Sequence, residues 1–160
     1  MCEAAGITIV IESEPTTNSS SMAEIAELIE KIDSPTVKAL YDPGNNIYST
    51  DEVPYPDGFE KIRPHLAHVH VKDAVIENGE AVGVAVGEGL VDYVGIFKEL
   101  CRIGYDGEVM LETHYRPKDR AALSSATLAN PKGSAISDGG YSASAECMEK
   151  LRNIIASCKA

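Results

Sequence analysis

The chain has no C-x-x-C pair, no G-x-S-x-G elbow and no apolar run long enough to cross a membrane. Its four cysteines, Cys2, Cys101, Cys147 and Cys158, are scattered, three of them within helical patterns. That spacing reads as buried or surface thiols, not disulfides or a zinc cluster, and gives a cysteine or serine nucleophile no local support. Basic residues are scarce: 14 Lys and Arg stand against 25 Asp and Glu, for a formal net charge of −11. With no basic stripe to offset it, that charge repels phosphate backbones and anionic lipid, so neither nucleic acid nor a membrane is an expected partner. The opening MCEAAGITIVIESE carries Glu3 and Glu12 beside its apolar run and lacks a basic leader. The expectation is a cytoplasmic protein with no secretory signal. At 160 residues and 44% apolar content, one domain spanning 1–160 with a sizeable core is expected.

What the sequence does contain is four short, almost continuously apolar runs at 6–12, 36–42, 66–72 and 108–112, as expected of strands covered on both faces. Helical patterns alternate with them. Ile25, Leu28, Ile29 and Ile32 fall at i, i+3, i+4 and i+7, behind the capping serines Ser19 to Ser21. Val94, Phe97, Leu100 and Cys101 line one face of a second helix that Gly104 closes, and Leu151, Ile154, Ile155 and Cys158 one face of a third. The Pro-rich stretch NNIYSTDEVPYPDGFEKIRPHL reads as loop with a short helix at 58–63, and 75–86 as a hairpin turning at Glu77-Asn78-Gly79. The polar, Ala/Ser/Gly-rich segment 116–141 reads as an extended loop over a functional face. This alternation is that of an α/β fold with a parallel sheet and right-handed crossovers.

Each apolar run ends on a residue type that binds metal: Glu12, Asp42, His70 and Glu112. Parallel strands deliver their C-terminal ends to one face, so these side chains can meet. Glu12 and Glu112 must be paired, solvated or metal-bound there, because burying a lone carboxylate is too costly. Asp42, before Pro43 and Gly44, reads equally as an ordinary turn residue. His68 and His70, two apart on a strand, point to one side together with Lys72, and two histidines exceed what a buried strand usually carries.

The strings IVIESE, YDPGNN, HLAHVHVKD and VGEGLVDYVGIFKELCRIGYDGEVMLETH, in this order and spacing, together resemble the sugar phosphate isomerase/epimerase family of xylose-isomerase-like TIM barrels. SASAECMEKLRNII resembles that family's closing helix. The resemblance implies metal ligands at Glu12, Asp42, His70 and Glu112, and a catalytic pair in Glu12 and Glu112. It places Asn45, His68 and Lys72 beside the substrate, a small sugar or sugar phosphate. One imidazole with three carboxylates suits Mn²⁺ or Mg²⁺ and accepts Co²⁺ or Zn²⁺. The implied activity is isomerisation or epimerisation, with proton transfer through an enediolate. The alternatives are a non-catalytic metal- or sugar-binding fragment that needs a partner, and a metal-dependent polyol dehydratase. The superfamily's endonucleases for abasic DNA need further His and Asp ligands, whereas no histidine lies between His70 and His114 and Asn45 replaces another. Arg116, Lys118 and Arg120 either meet an anionic group of the substrate or form a solvated basic loop.

A full barrel has eight strand–helix units over roughly 250 residues. The matched strings belong to its C-terminal half, so about four of the eight units are expected. A half-barrel exposes a sheet face and two edges, which implies a homo-oligomer, a complementing N-terminal half-barrel, or a truncated chain.

Overall fold

A computed structural model describes residues 2–14, 17, 19–49, 51–116 and 140–158. In chain order the elements are α1 (Cys2–Ala5), β1 (Ile9–Glu12), α2 (Met22–Ile32), β2 (Val37–Tyr41), α3 (Pro43–Ser49), α4 (Phe59–Ile62), β3 (Leu66–Val71), β4 (Asp73–Glu77), β5 (Glu80–Val84), α5 (Tyr93–Arg102), β6 (Glu108–Leu111) and α6 (Gly140–Cys158). Strands β1, β2, β3 and β6 form one sheet in that order, every pair parallel, and β4 and β5 form a separate antiparallel hairpin. This is a partial α/β barrel of four units, as the alternation in the sequence implies.

Two helices start where the sequence signals them. Ser21 opens α2 with a reciprocal capping box: its hydroxyl accepts from the Glu24 amide at 3.2 Å, and Glu24 accepts from the Ser21 amide at 3.0 Å. Asp92 caps α5 by accepting from the Gly95 amide at 2.8 Å. The hairpin turns at Asn78 and Gly79, both at positive φ, as its Asn-Gly pair requires.

The segment after Asp42 departs from the sequence reading. It is the helix α3, not loop, because Asp42 acts as its N-cap: Asp42 Oδ1 accepts from the Asn45 amide at 3.0 Å, and Pro43 stands at the first helical position, where its missing N–H is no loss. A turn at Pro54–Gly58 then leads into α4, and the Tyr41 hydroxyl pins it to β2 by donating to the Pro54 carbonyl at 2.7 Å. The first strand also starts later than the apolar run suggests, at Ile9, behind α1 and Gly6 at φ +65. Of the long loop expected at 116–141, residues 117–139 lie outside the described residues, Lys118 and Arg120 among them.

One face of the sheet is packed. Val37, Ala39, Tyr41, Val69 and Val71 meet Ile25, Ile29, Phe59, Ile62, Ile96, Phe97, Leu100, Cys147 and Leu151 in a single core. The other face, the inside of the barrel arc, carries Val10 and Met110, 38% and 51% exposed. All four cysteines are free, Cys147 within the core. Among the described residues, no helix is long and apolar enough to cross a membrane.

Asp73, at the start of β4, is buried and accepts from four backbone amides, those of Ala74, Gly87, Gly89 and Val91, at 2.9 to 3.2 Å. Burial pushes its carboxyl up and the four donors pull the other way. The result is a fixed loop between β5 and α5, beside the C-terminal ends of the strands.

Candidate metal centre

Register carries the four strand-end residues to the inner face. Glu12 is level with Leu40, Leu40 with His68 and His68 with Glu108, which defines one row across the sheet. His70 stands one row higher, level with Met110, and Glu112 follows Met110 by two residues, so it faces the same way. A β-bulge between β2 and β3 makes this possible. Ala39 pairs with Leu66 but Leu40 with His68, and that extra residue turns His68 and His70 inward. In an unbroken ladder the same sequence would send both imidazoles toward the helices.

Glu12, Asp42, His70 and Glu112 thus converge, each offering one ligand atom, and these atoms all lie within 4.8 Å of one another. His70 Nδ1 is 3.1 Å from Glu112 Oε2, 3.2 Å from Glu12 Oε1 and 3.5 Å from Asp42 Oδ2. Lys72 Nζ lies 2.6 Å from Glu112 Oε2 and 2.8 Å from Asp42 Oδ2. Asn45 Nδ2 donates to Glu12 Oε1 at 3.1 Å and to the Ser13 carbonyl at 2.7 Å.

The charges are strongly coupled. Asp42, Glu112 and Glu12 hold the imidazolium of His70, pushing its pKa up to about 11. In turn His70, then Lys72, hold the Glu112 carboxyl down at about 2 against its partial burial. Burial alone would lower the Lys72 ammonium, but Asp42 and Glu112 more than offset it and leave it raised.

The donor set fits a hard divalent cation. Octahedral ligands at about 2.1 Å put opposite donors about 4.2 Å apart, so the spread observed needs little closure. Asp42 Oδ2 gives a second indication. It is fully buried, with the Lys72 ammonium at 2.8 Å and His70 Nδ1 at 3.5 Å, so its charge is directed at the cluster.

Of the remaining residues singled out from sequence, His68 sits a row below His70, its ring edge-on to that of His70 at 5.2 Å and its Nδ1 3.6 Å from Glu108. Asn45 is 2% exposed and reaches the cluster through Glu12. Arg116 is described but forms no part of the four-residue cluster.

Two residues escaped the sequence reading. His114, two beyond Glu112, and Tyr48, at the far end of α3, meet edge-on at 5.7 Å. Neither His114 Nδ1 nor the Tyr48 hydroxyl has a hydrogen-bond partner among the described residues. Burial, then Lys72, push the His114 imidazole down, and burial pushes the Tyr48 phenol up to about 12. The i+2 spacing from Glu112 is the one signal that could have found His114.

The family described as the xylose isomerase-like TIM barrel matches residues 1–149. The chain belongs to that family. An inosose dehydratase of Geobacillus thermodenitrificans is 28% identical over 130 residues, covering 70% of this chain and 42% of that protein. A putative L-ribulose-5-phosphate 3-epimerase of Escherichia coli is 30% identical over 115 residues, 68% of this chain and 39% of that protein. The chain therefore spans less than half the length of these relatives. In structure, a xylose isomerase-like TIM barrel protein of Mycobacterium smegmatis in complex with magnesium superposes with a TM-score of 0.70 at 18% identity, over 99% of this chain and 47% of that one.

Proposed function

We propose that this chain carries the divalent-cation and proton-transfer site of a sugar or sugar-phosphate isomerase/epimerase, active when the barrel is completed. The convergence of Glu12, Asp42, His70 and Glu112 at the C-terminal strand ends carries this reading. An epimerase among its relatives and a magnesium complex among its structural neighbours support it. Mn²⁺ or Mg²⁺ fits the oxygen-rich set best, with Co²⁺ or Zn²⁺ admissible. A divalent ion held by Glu12, Asp42, His70 and Glu112 would supply a Lewis acid for a sugar carbonyl.

The rest is the work of side chains. Glu12 and Glu112 come from the two edge strands of the sheet, and on this reading they flank the substrate. One takes a carbon-bound proton next to the carbonyl and the other returns one to the opposite face. Glu112, its carboxyl held down by His70 and Lys72, is ionised at neutral pH. Asn45 fixes the orientation of Glu12, and His68 borders the same space from the row below.

A dehydratase of a cyclic polyol is the second reading, supported by the inosose dehydratase relative. It begins with the same proton removal and parts from the first only when a hydroxyl leaves in place of proton return. The test is incubation of the chain together with an N-terminal half-barrel of the family, with Mn²⁺ and in D₂O, with a panel of ketoses, their phosphates and inososes, read by mass spectrometry. Deuterium gain without loss of water marks the first reading, and loss of water the second. Either should vanish in Glu112→Gln; an exchange rate equal to wild type in that variant removes Glu112 from the chemistry.

A further inference from the structure

Lys72 is built into the cluster more firmly than a substrate-contacting lysine needs to be. Its side chain is 2% exposed, and its ammonium lies 2.6 Å from Glu112 Oε2 and 2.8 Å from Asp42 Oδ2. Its backbone is clamped on both polar groups by one buried hydroxyl: Tyr93 accepts from the Lys72 amide at 2.9 Å and donates to the Lys72 carbonyl at 2.6 Å. Its stem runs against the first turn of α3, where only glycine fits, since a Cβ on Gly44 would stand 2.4 Å from Lys72 Cγ and 2.6 Å from its carbonyl oxygen. Three separate contacts thus fix the position of one charge.

The count of charges gives that placement a purpose. Glu12, Asp42 and Glu112 contribute three negative charges, a ligating His70 must be neutral, and Lys72 contributes one positive charge. The remaining net of two negative charges is matched by a divalent ion. We infer that Lys72 is a positioning residue that tunes the cluster to divalent cations, pinning Asp42 and Glu112 and lowering the attraction for ions of higher charge. This rests on the reading of the four residues as a cation site.

The distinguishing quantity is a ratio of two affinities of the same protein, because a general loosening of the site weakens both. Mn²⁺ binding is measured by electron paramagnetic resonance of the free ion, and Tb³⁺ binding by its luminescence, on the full chain and on Lys72→Met. A unit charge a few ångströms from a partly exposed site changes the discrimination between ions one charge apart by roughly tenfold, at the water-like end of the dielectric range. The Tb³⁺ to Mn²⁺ affinity ratio should therefore rise about tenfold in Lys72→Met and return to the wild-type value in Lys72→Arg, which keeps the charge. Lys72→Gln replaces Lys72→Met if the latter loses its helical circular dichroism. A ratio within twofold of wild type in the neutral variant, with Mn²⁺ still bound, overturns the inference alone. Absence of Mn²⁺ binding in the wild-type chain overturns the cation reading and this inference with it.

Discussion

His70 is the residue on which the charge state of the cluster turns. With its pKa near 11 in the folded, metal-free chain against an ordinary 6.5, its bound proton stabilises the fold fully below pH 6.5 and progressively less as pH rises toward 11. Glu112 works in the opposite sense. Held near 2 against an ordinary 4.5, it contributes fully above pH 4.5 and loses that contribution as pH falls toward 2. The metal-free chain should accordingly gain most from this cluster between about pH 4.5 and 6.5. In urea titrations of metal-free protein, wild type should lose more stability between pH 6 and 9.5 than His70→Gln does; parallel losses would show that His70 does not keep its proton. The four converging residues were legible in sequence because each ends an apolar run, where an ionisable side chain has few innocent explanations. The closure of Lys72 onto two of them, and the Tyr48 hydroxyl and His114 Nδ1 left without a hydrogen bond among the described residues, were not legible, because hydrogen-bond satisfaction and burial depend on which strands become neighbours.

Among the elements, α3 shows where local reading fails and what the correct signal was. Pro43-Gly44-Asn45-Asn46 are poor helix formers, and their propensities alone favour a turn. The helix forms because Asp42 caps it and Asn45 is tied to Glu12 and Ser13 across the sheet. Asp followed by Pro at the first helical position was the usable sign. Gly44 within α3 sets two effects against each other. Alanine in its place gains about 1 kcal/mol of helix propensity, while its methyl meets the Lys72 stem and carbonyl at distances no real Cβ adopts. Overpacking of that kind costs about 1–3 kcal/mol, so the clash should prevail. Gly44→Ala should be destabilised in thermal unfolding and bind Mn²⁺ about tenfold more weakly by calorimetry. A more stable variant with unchanged affinity would mean that the first turn of α3 yields freely.

At the scale of the whole molecule, the four parallel strands leave, among the described residues, two edges, β1 and β6, and an inner face with Val10 and Met110 exposed. Unpaired parallel edges and an uncovered sheet face are surfaces that proteins pair or cover. The parallel sheet was legible from the β–α alternation, and the half-barrel from the resemblance of four strings to the C-terminal half of the family's barrel; what covers the open face was not, because no residue of the packed core encodes it. The 160-residue chain on its own should sediment above the 17.1 kDa of one copy at micromolar concentration, or do so once an N-terminal half-barrel of the family is added. Analytical ultracentrifugation decides it. A well-folded monomer that ignores the added half would show that this sheet tolerates its open face.

Asp42 uses its two oxygens in two places, Oδ1 on the Asn45 amide and Oδ2 toward the cluster. Electron density drawn to one oxygen is withdrawn from the other, so the Asn45 amide proton is a spectroscopic gauge of what the opposite side of the carboxylate holds. Its chemical shift should report cation occupancy from inside a helix, with no label on the ion and no substrate in hand.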